Sequence, residues 1–125
     1  MSRISPWLSV KNAVAAIDYY KKAFGAVELY RLEDDHGGIA VVHLSFGEAD
    51  FWVQADPEFN ADTIAGGSFR LIVTVDNPDV VFEQTLAAGA TLVAPISDGY
   101  GWRIGRIVDP FGYHWEIGKQ LADSM

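Results

Sequence analysis

Glu116 stands between Trp115 and Ile117 in a stretch, Tyr113-His114-Trp115-Glu116-Ile117, that alternates as a strand. Tyr113, Trp115 and Ile117 share one face and His114 and Glu116 the other. A carboxylate so flanked is costly to place unless its face looks into a polar cavity. There it can hold a cation, pair with a guanidinium or move a proton. His43, in Val41-Val42-His43-Leu44-Ser45, shares a strand face with Val41 and Ser45. A lone strand histidine is most often a hydrogen-bonded lining residue; general base and metal ligand are its other roles. His114 is read as solvent-facing near a turn, with the cavity rim as its other position, and His36 as exposed in an Asp-rich turn. No Gly-x-Ser-x-Gly elbow, phosphate-cradling glycine loop or His-Glu-x-x-His is present. With no cysteine, disulfides, thiolate ligands and a thiol nucleophile are excluded.

The elements that must position these residues fall into two similar runs. Residues 3 to 10 alternate as a strand with Ile4, Pro6, Leu8 and Val10 on one face and Ser5, Trp7 and Ser9 on the other. Pro6 lacks a donor and points to an edge strand. Asn12 caps a helix over about 13 to 24, with Val14, Ala16, Ile17, Tyr20 and Phe24 at helical spacing and Gly25 as its stop. Strands follow near 26 to 32, 39 to 46 and 49 to 54. A second run repeats this order. It has a strand near 69 to 75, a helix started by Asp76-Asn77-Pro78 and stopped at Gly89, and strands near 90 to 94, 103 to 108 and 113 to 118. Leu121 to Met125 is expected to fray.

The repeat is visible by subtraction. Val10 and Val75, Asn12 and Asn77, Ala23 and Ala88, and Phe46-Gly47 and Phe111-Gly112 are each 65 apart, while Gly25 and Gly89 are 64 apart. Matches at caps and turns, where residue type has a physical job, indicate two copies of one β-α-β-β-β unit. The expected organisation is a single domain over 1–125. Module one spans 3–54, an ordinary linker 55–68 and module two 69–118.

A chain of 125 residues buries enough surface to need no staples. No apolar run approaches the ~20 residues of a membrane span, and the N-terminus lacks a secretory h-region, so the expected location is cytoplasmic. Nine Lys and Arg against 17 Asp and Glu give a net charge of −8, without a basic cluster, which sets nucleic acid aside. The acidity serves solubility first and attraction of cationic ligands second.

Asp109-Pro110-Phe111-Gly112-Tyr113-His114-Trp115-Glu116, followed by an apolar residue, resembles the closing hairpin of the glyoxalase, bleomycin-resistance and extradiol-dioxygenase proteins, the vicinal oxygen chelate superfamily. Gly101-Trp102-Arg103-Ile104-Gly105-Arg106 and Trp115 resemble its PhnB-like branch, which also carries a histidine in the strand of His43. The resemblance implies a mixed α/β (α+β) fold in which two tandem β-α-β-β-β modules form a curved mixed sheet around a cavity, and a homodimer. Metal-binding members place ligands at four symmetry-related positions. By the 65-residue offset and a count of seven back from each capping asparagine, these fall on Ser5, Phe51, Arg70 and Glu116. Such a set is poor in donors, and Arg70 would repel a cation, so no metal cofactor is expected. Arg70 and Glu116 are instead suited to pair with each other, with Arg70 also suited to anchor an anionic or carbonyl group of a ligand and Glu116 to direct ligand contact.

By strand parity, Trp7 and Phe51 are expected to line the cavity, with Trp52 and Trp115 beneath the helices. Tyr100 and Trp102 are expected on a glycine-hinged loop that closes over a ligand by stacking. The expected function is therefore metal-independent binding of a small organic molecule by Trp7, His43, Phe51, Arg70, Tyr100, Trp102 and Glu116, with no catalytic residue assigned. The competing reading is a divalent-metal-dependent lyase, isomerase or dioxygenase using Glu116 and His43.

Overall fold

The computed structural model describes residues 2–63 and 69–121. The chain divides into two compact units, 1–61 and 62–125. In the first, β1 (Trp7–Val10), α1 (Ala13–Phe24), β2 (Val27–Glu33), β3 (Ile39–Phe46) and β4 (Ala49–Ala55) form a four-stranded sheet of order β1-β4-β3-β2 with one helix. A single 3-10 turn follows at Ala61–Thr63. In the second, β5 (Leu71–Thr74), α2 (Pro78–Ala88), β6 (Thr91–Gly99), β7 (Trp102–Val108) and β8 (His114–Gln120) repeat the arrangement as β5-β8-β7-β6. In each sheet the first strand runs parallel to the last, and the other pairs are antiparallel.

Local chemistry accounts for the helix limits. The Asn12 side chain accepts from Ala15 N, and Gly25 closes α1 at φ 70°, a conformation that costs glycine least. Ala13, Ala16, Ile17, Tyr20, Ala23 and Phe24 form the buried stripe of α1, and Tyr19 is buried beside it. Val14, expected on that stripe, is 66% exposed, because the stripe advances from position 13 rather than 14. Leu8 and Val10 of β1, Val42 and Leu44 of β3, and Phe51 and Val53 of β4 are buried with the helix. Ile4, expected to continue the buried face of β1, is 97% exposed. The first strand begins only after Pro6, whose carbonyl accepts from Trp52 N.

The sixth strand runs to Gly99 rather than stopping near residue 94. Pro95 is accommodated because β6 is an edge strand with register breaks between Leu92 and Ala94 and between Ala94 and Ser97. The expected loop over 97–102 is instead the end of a hairpin. Gly99 pairs with Trp102 across a two-residue turn in which Tyr100 and Gly101 have φ of 53° and 83°. Residues 64–68 of the linker and 122–125 of the expected frayed end lie outside the described residues. Leu121 N donates to Gly101 O, so the chain is still tied down at that point.

Asp109 organises the turn between β7 and β8. Its Oδ1 accepts from the backbone of Phe111 and Tyr113, and its Oδ2 accepts from Trp115 Nε1 at 2.8 Å. Asp109 and Trp115 are both buried. Asp109→Ala therefore leaves a buried indole N–H and two turn amides without their acceptor. It is expected to lower unfolding free energy by about 2–4 kcal/mol in urea titration. A loss below about 0.5 kcal/mol, the level of an ordinary surface change, would contradict this role.

Candidate functional site

Strand registers define one row of residues on the sheet face turned away from α1. Trp7 pairs with Trp52, Trp52 with His43, and His43 with Tyr30, so the row crosses all four strands of the first unit. The His43 ring lies parallel to Trp52, with centroids 3.9 Å apart and planes at 3°. Trp7 stacks on Trp52 at 6.4 Å, and Tyr30 meets Trp52 edge-on at 6.4 Å. The ends of the row are open, Trp7 being 53% and Tyr30 52% exposed. Gln54 Oε1 accepts from Ser9 Oγ and Trp7 Nε1, which fixes the first indole.

Beside the row sits Asp50, on the same face of β4 as Trp52. Its Oδ2 accepts from Ser5 Oγ at 2.9 Å and contacts Arg3 at 2.9 Å and His43 Nε2 at 2.7 Å. The hydrogen bond from His43, then that from Ser5, then the charge of Arg3 hold the Asp50 carboxyl below its ordinary value against the opposing effect of burial. Asp50 is thus an ionised hub joining the segment before β1 to the β3–β4 hairpin. The sequence offered a signal for it. A two-residue Gly47-Glu48 turn pairs Ser45 with Asp50 and His43 with Trp52, which puts Asp50 diagonal to His43.

Two expected placements change accordingly. Phe51, assigned to the lining, is buried and meets Tyr20 of α1 edge-on at 5.2 Å; it belongs to the helix-side core. Trp52, assigned beneath a helix, is on the open face. The pairs Trp7–Trp52 and Ile72–Glu116 show why: the equivalent of Glu116 is Trp52, at an offset of 64, because the residue lost after α2 is not regained before the last strand. Trp115 does pack in the core as expected.

In the second unit the matching row is Ile72, Glu116, Arg106 and Ala94. Arg70 Nε lies 3.2 Å from Glu116 Oε2, so the expected pair forms. Arg106 Nε donates to His114 Nδ1 at 3.1 Å, so His114 is held by a neighbouring arginine rather than facing solvent freely. Burial first, then the positive charges of Arg106 and Arg70, push the His114 pKa below 6.5, with Asp109 opposing them. The remainder of the Gly101–Arg106 run has structural work. Arg103 bridges Asp79 of α2 and Asp98 of β6, and a Cβ on Gly105 would lie 2.6 Å from Phe82 of α2. Trp102 is partly exposed at the start of β7, while Tyr100 projects fully into solvent at the hairpin tip. His36 is exposed.

Among the described residues no group of three or more His, Cys, Asp or Glu is gathered as a ligand set. His43 is engaged by Asp50, and Glu116 by Arg70. No helix of the described residues is long and apolar enough to cross a membrane.

Two successive β-α-β-β-β units, each with its first strand parallel to its last, define the class of protein. The sequence profile of the glyoxalase/bleomycin resistance protein/dioxygenase superfamily matches residues 3–117, and the chain belongs to that superfamily. It is 33% identical over 130 residues to a Mycobacterium tuberculosis protein described only as uncharacterized, covering 96% of this chain and 75% of that one. It is similar in structure to TioX from Micromonospora sp. ML1, at 29% identity and a TM-score of 0.76, covering 97% and 100% of the two chains. A PhnB protein from Bacillus cereus shares the fold at 20% identity and a TM-score of 0.74, covering 97% and 100%.

The depressed His114 pKa has a consequence for stability. The folded protein takes up this proton less readily than the unfolded chain, so His114 costs nothing well above pH 6.5 and costs stability as pH falls through and below it. The stability of His114→Gln relative to the native chain should improve as pH is lowered from about 7 to about 5, in urea titrations at each pH. A difference that stays constant over that range would contradict the assignment.

Proposed function

We propose that the protein binds a small organic molecule without a metal ion, using the aromatic row of the first unit as its stacking surface. The observation that carries this reading is the Trp7–Trp52–His43–Tyr30 row, whose rings are fixed by cross-strand packing yet exposed at both ends. Preorganised aromatic area binds a flat apolar ligand at little conformational cost. On the sheet of the second unit, the Arg70–Glu116 and Arg106–His114 pairs are polar groups of the kind that can hold a charged or carbonyl group. The donor chemistry described above favours metal independence, and the net charge of −8 suits a cationic ligand without requiring one.

Within the superfamily we assign the chain to the PhnB-like branch, on His43 and the Gly101–Arg106 run. We further propose that it works as a homodimer in the cytoplasm, and that Trp102 and Tyr100 of the second unit are ligand-binding residues.

The test is calorimetric titration of the purified, untagged protein with zinc, nickel, manganese and iron(II), paired with tryptophan quenching by planar aromatic probes such as acriflavine and quinoline. No stoichiometric ion uptake is expected, and at least one probe should quench. Trp52→Ala is expected to weaken the quenching probe by roughly tenfold or more, in line with 1–3 kcal/mol for loss of an aromatic stacking partner. A near-stoichiometric ion whose affinity falls in Glu116→Gln would overturn metal independence. Unchanged probe affinity in Trp52→Ala would remove the row from the site.

A further inference from the structure

The helix side of the second unit holds a cavity that none of the residues assigned above lines except Arg103 and Asp79. There α2 buries only Pro78, Phe82 and Thr85, fewer side chains than α1 buries in the first unit. Leu92 on the edge strand is left half-exposed, although its pair partner Ile107 is buried. The register of β6 breaks on both sides of Ala94, which bends this edge. Between the bent edge and α2 lies a cavity of about 380 Å³. Phe82 and Leu86 of α2 and Leu92, Pro95 and Ile96 of β6 form its apolar wall. Gly105 permits that wall: a Cβ there would lie 2.6 Å from Phe82 and 2.8 Å from Ile96, so its absence lets both side chains settle onto β7. The volume falls at the lower end of the range for small-molecule pockets, about 300–1,000 Å³.

The rim decides what charge an occupant should carry. Asp79 and Glu83, one helical turn apart on α2, stand there with Arg103 of β7. Arg103 donates from Nε and Nη2 to Asp79 and from Nη1 to Asp98, so its fork is spent on two carboxylates and does not recruit an anion. Glu83 has no hydrogen bond or ion pair among the described residues. Even with Lys119, opposite Arg103 on β8, the carboxylates of Asp79, Glu83 and Asp98 outnumber the cations around the opening.

We propose that this cleft is a second binding site, for a small molecule that joins an apolar body to a protonated amine. The body lies against Phe82, Leu86, Leu92 and Ile96, where burial of apolar surface holds it. The ammonium sits beside Glu83, which supplies a charge-assisted partner that no residue of the chain already uses. Such an occupant bridges α2 to the edge strand of the same unit. The site is on the face of the sheet opposite Glu116 and Arg106, and it goes beyond the aromatic row without depending on it.

The probe is 4-phenylbutylamine, with 4-phenylbutan-1-ol as its uncharged counterpart, followed by methyl proton–carbon correlation spectra of the isoleucine- and leucine-labelled full chain. The amine should shift the methyl signals of Leu86, Leu92 and Ile96 with saturation at roughly millimolar concentration or below, as suits a ligand of this size. The alcohol should bind more weakly. Glu83→Gln, at an exposed position, should weaken the amine by roughly three- to fivefold, the scale of a solvent-exposed ion pair, and leave the alcohol unchanged. Leu92→Trp, which fills the cleft from the edge strand, should abolish binding of both. Absence of saturable shifts at these methyls in the native chain overturns the site. Equal affinity for amine and alcohol, or an amine affinity indifferent to Glu83→Gln, overturns the cationic ligand. Loss of amine binding in Trp52→Ala would transfer the amine to the aromatic row and overturn the cleft, whereas failure of the row leaves the cleft's own shifts in place. The same methyls moving on dilution of the protein alone would give the cleft to another copy of the chain and overturn the small-molecule assignment.

Discussion

The parallel pairing of the first strand of each module with its last is the constraint on which the rest depends. It fixes Trp7 against Trp52 and Ile72 against Glu116, and because side chains alternate, a slip of one residue would exchange the core face for the open one. The buried partners make that slip costly. Leu8, Val10, Phe51 and Val53 in one unit and Trp115 and Ile117 in the other would all be turned out of the core. The apolar face that holds each helix therefore also determines which residues appear on the opposite side.

Two copies of one unit have come to present different chemistry at matching positions. Trp7, Trp52, His43 and Tyr30 stand where Ile72, Glu116, Arg106 and Ala94 stand in the other copy. The first row offers stacking area and a single imidazole; the second offers paired charges. Each polar group in the two clusters is held by a named neighbour: Asp50 by Ser5, Arg3 and His43, Glu116 by Arg70, and His114 by Arg106. Groups so satisfied are held in one arrangement.

Most of the fold was readable because its punctuation is local. Asn12, Gly25, Asn77-Pro78, Gly89 and the Asp109–Gly112 turn mark element ends through backbone chemistry that needs no tertiary context. The face of β4 was not readable by a fixed offset, since one residue lost after α2 moved the equivalent of Glu116 from Phe51 to Trp52. Asp50 was hidden for a related reason: its partners Ser5 and His43 are 45 and 7 residues away and meet only through strand pairing. The Tyr100 turn looked like a loop because tyrosine is unusual at positive φ, although the flanking glycines carried the hairpin signal. Gly105 carried a family-like signature whose physical basis, close approach to Phe82, appears only in three dimensions.

The central claim is that Asp50 and Trp52 fix the His43 ring in one orientation, with Nε2 donating to the Asp50 carboxylate. The most direct measurement is a long-range proton–nitrogen correlation spectrum of histidine-labelled protein at neutral to slightly basic pH, with the His43 signals assigned by their loss in His43→Gln. The expected result is a proton on Nε2, hydrogen-bonded to Asp50, and nitrogen shifts unchanged by added zinc. A ring protonated on Nδ1 alone, or a ring whose nitrogen shifts move with stoichiometric zinc, would contradict it.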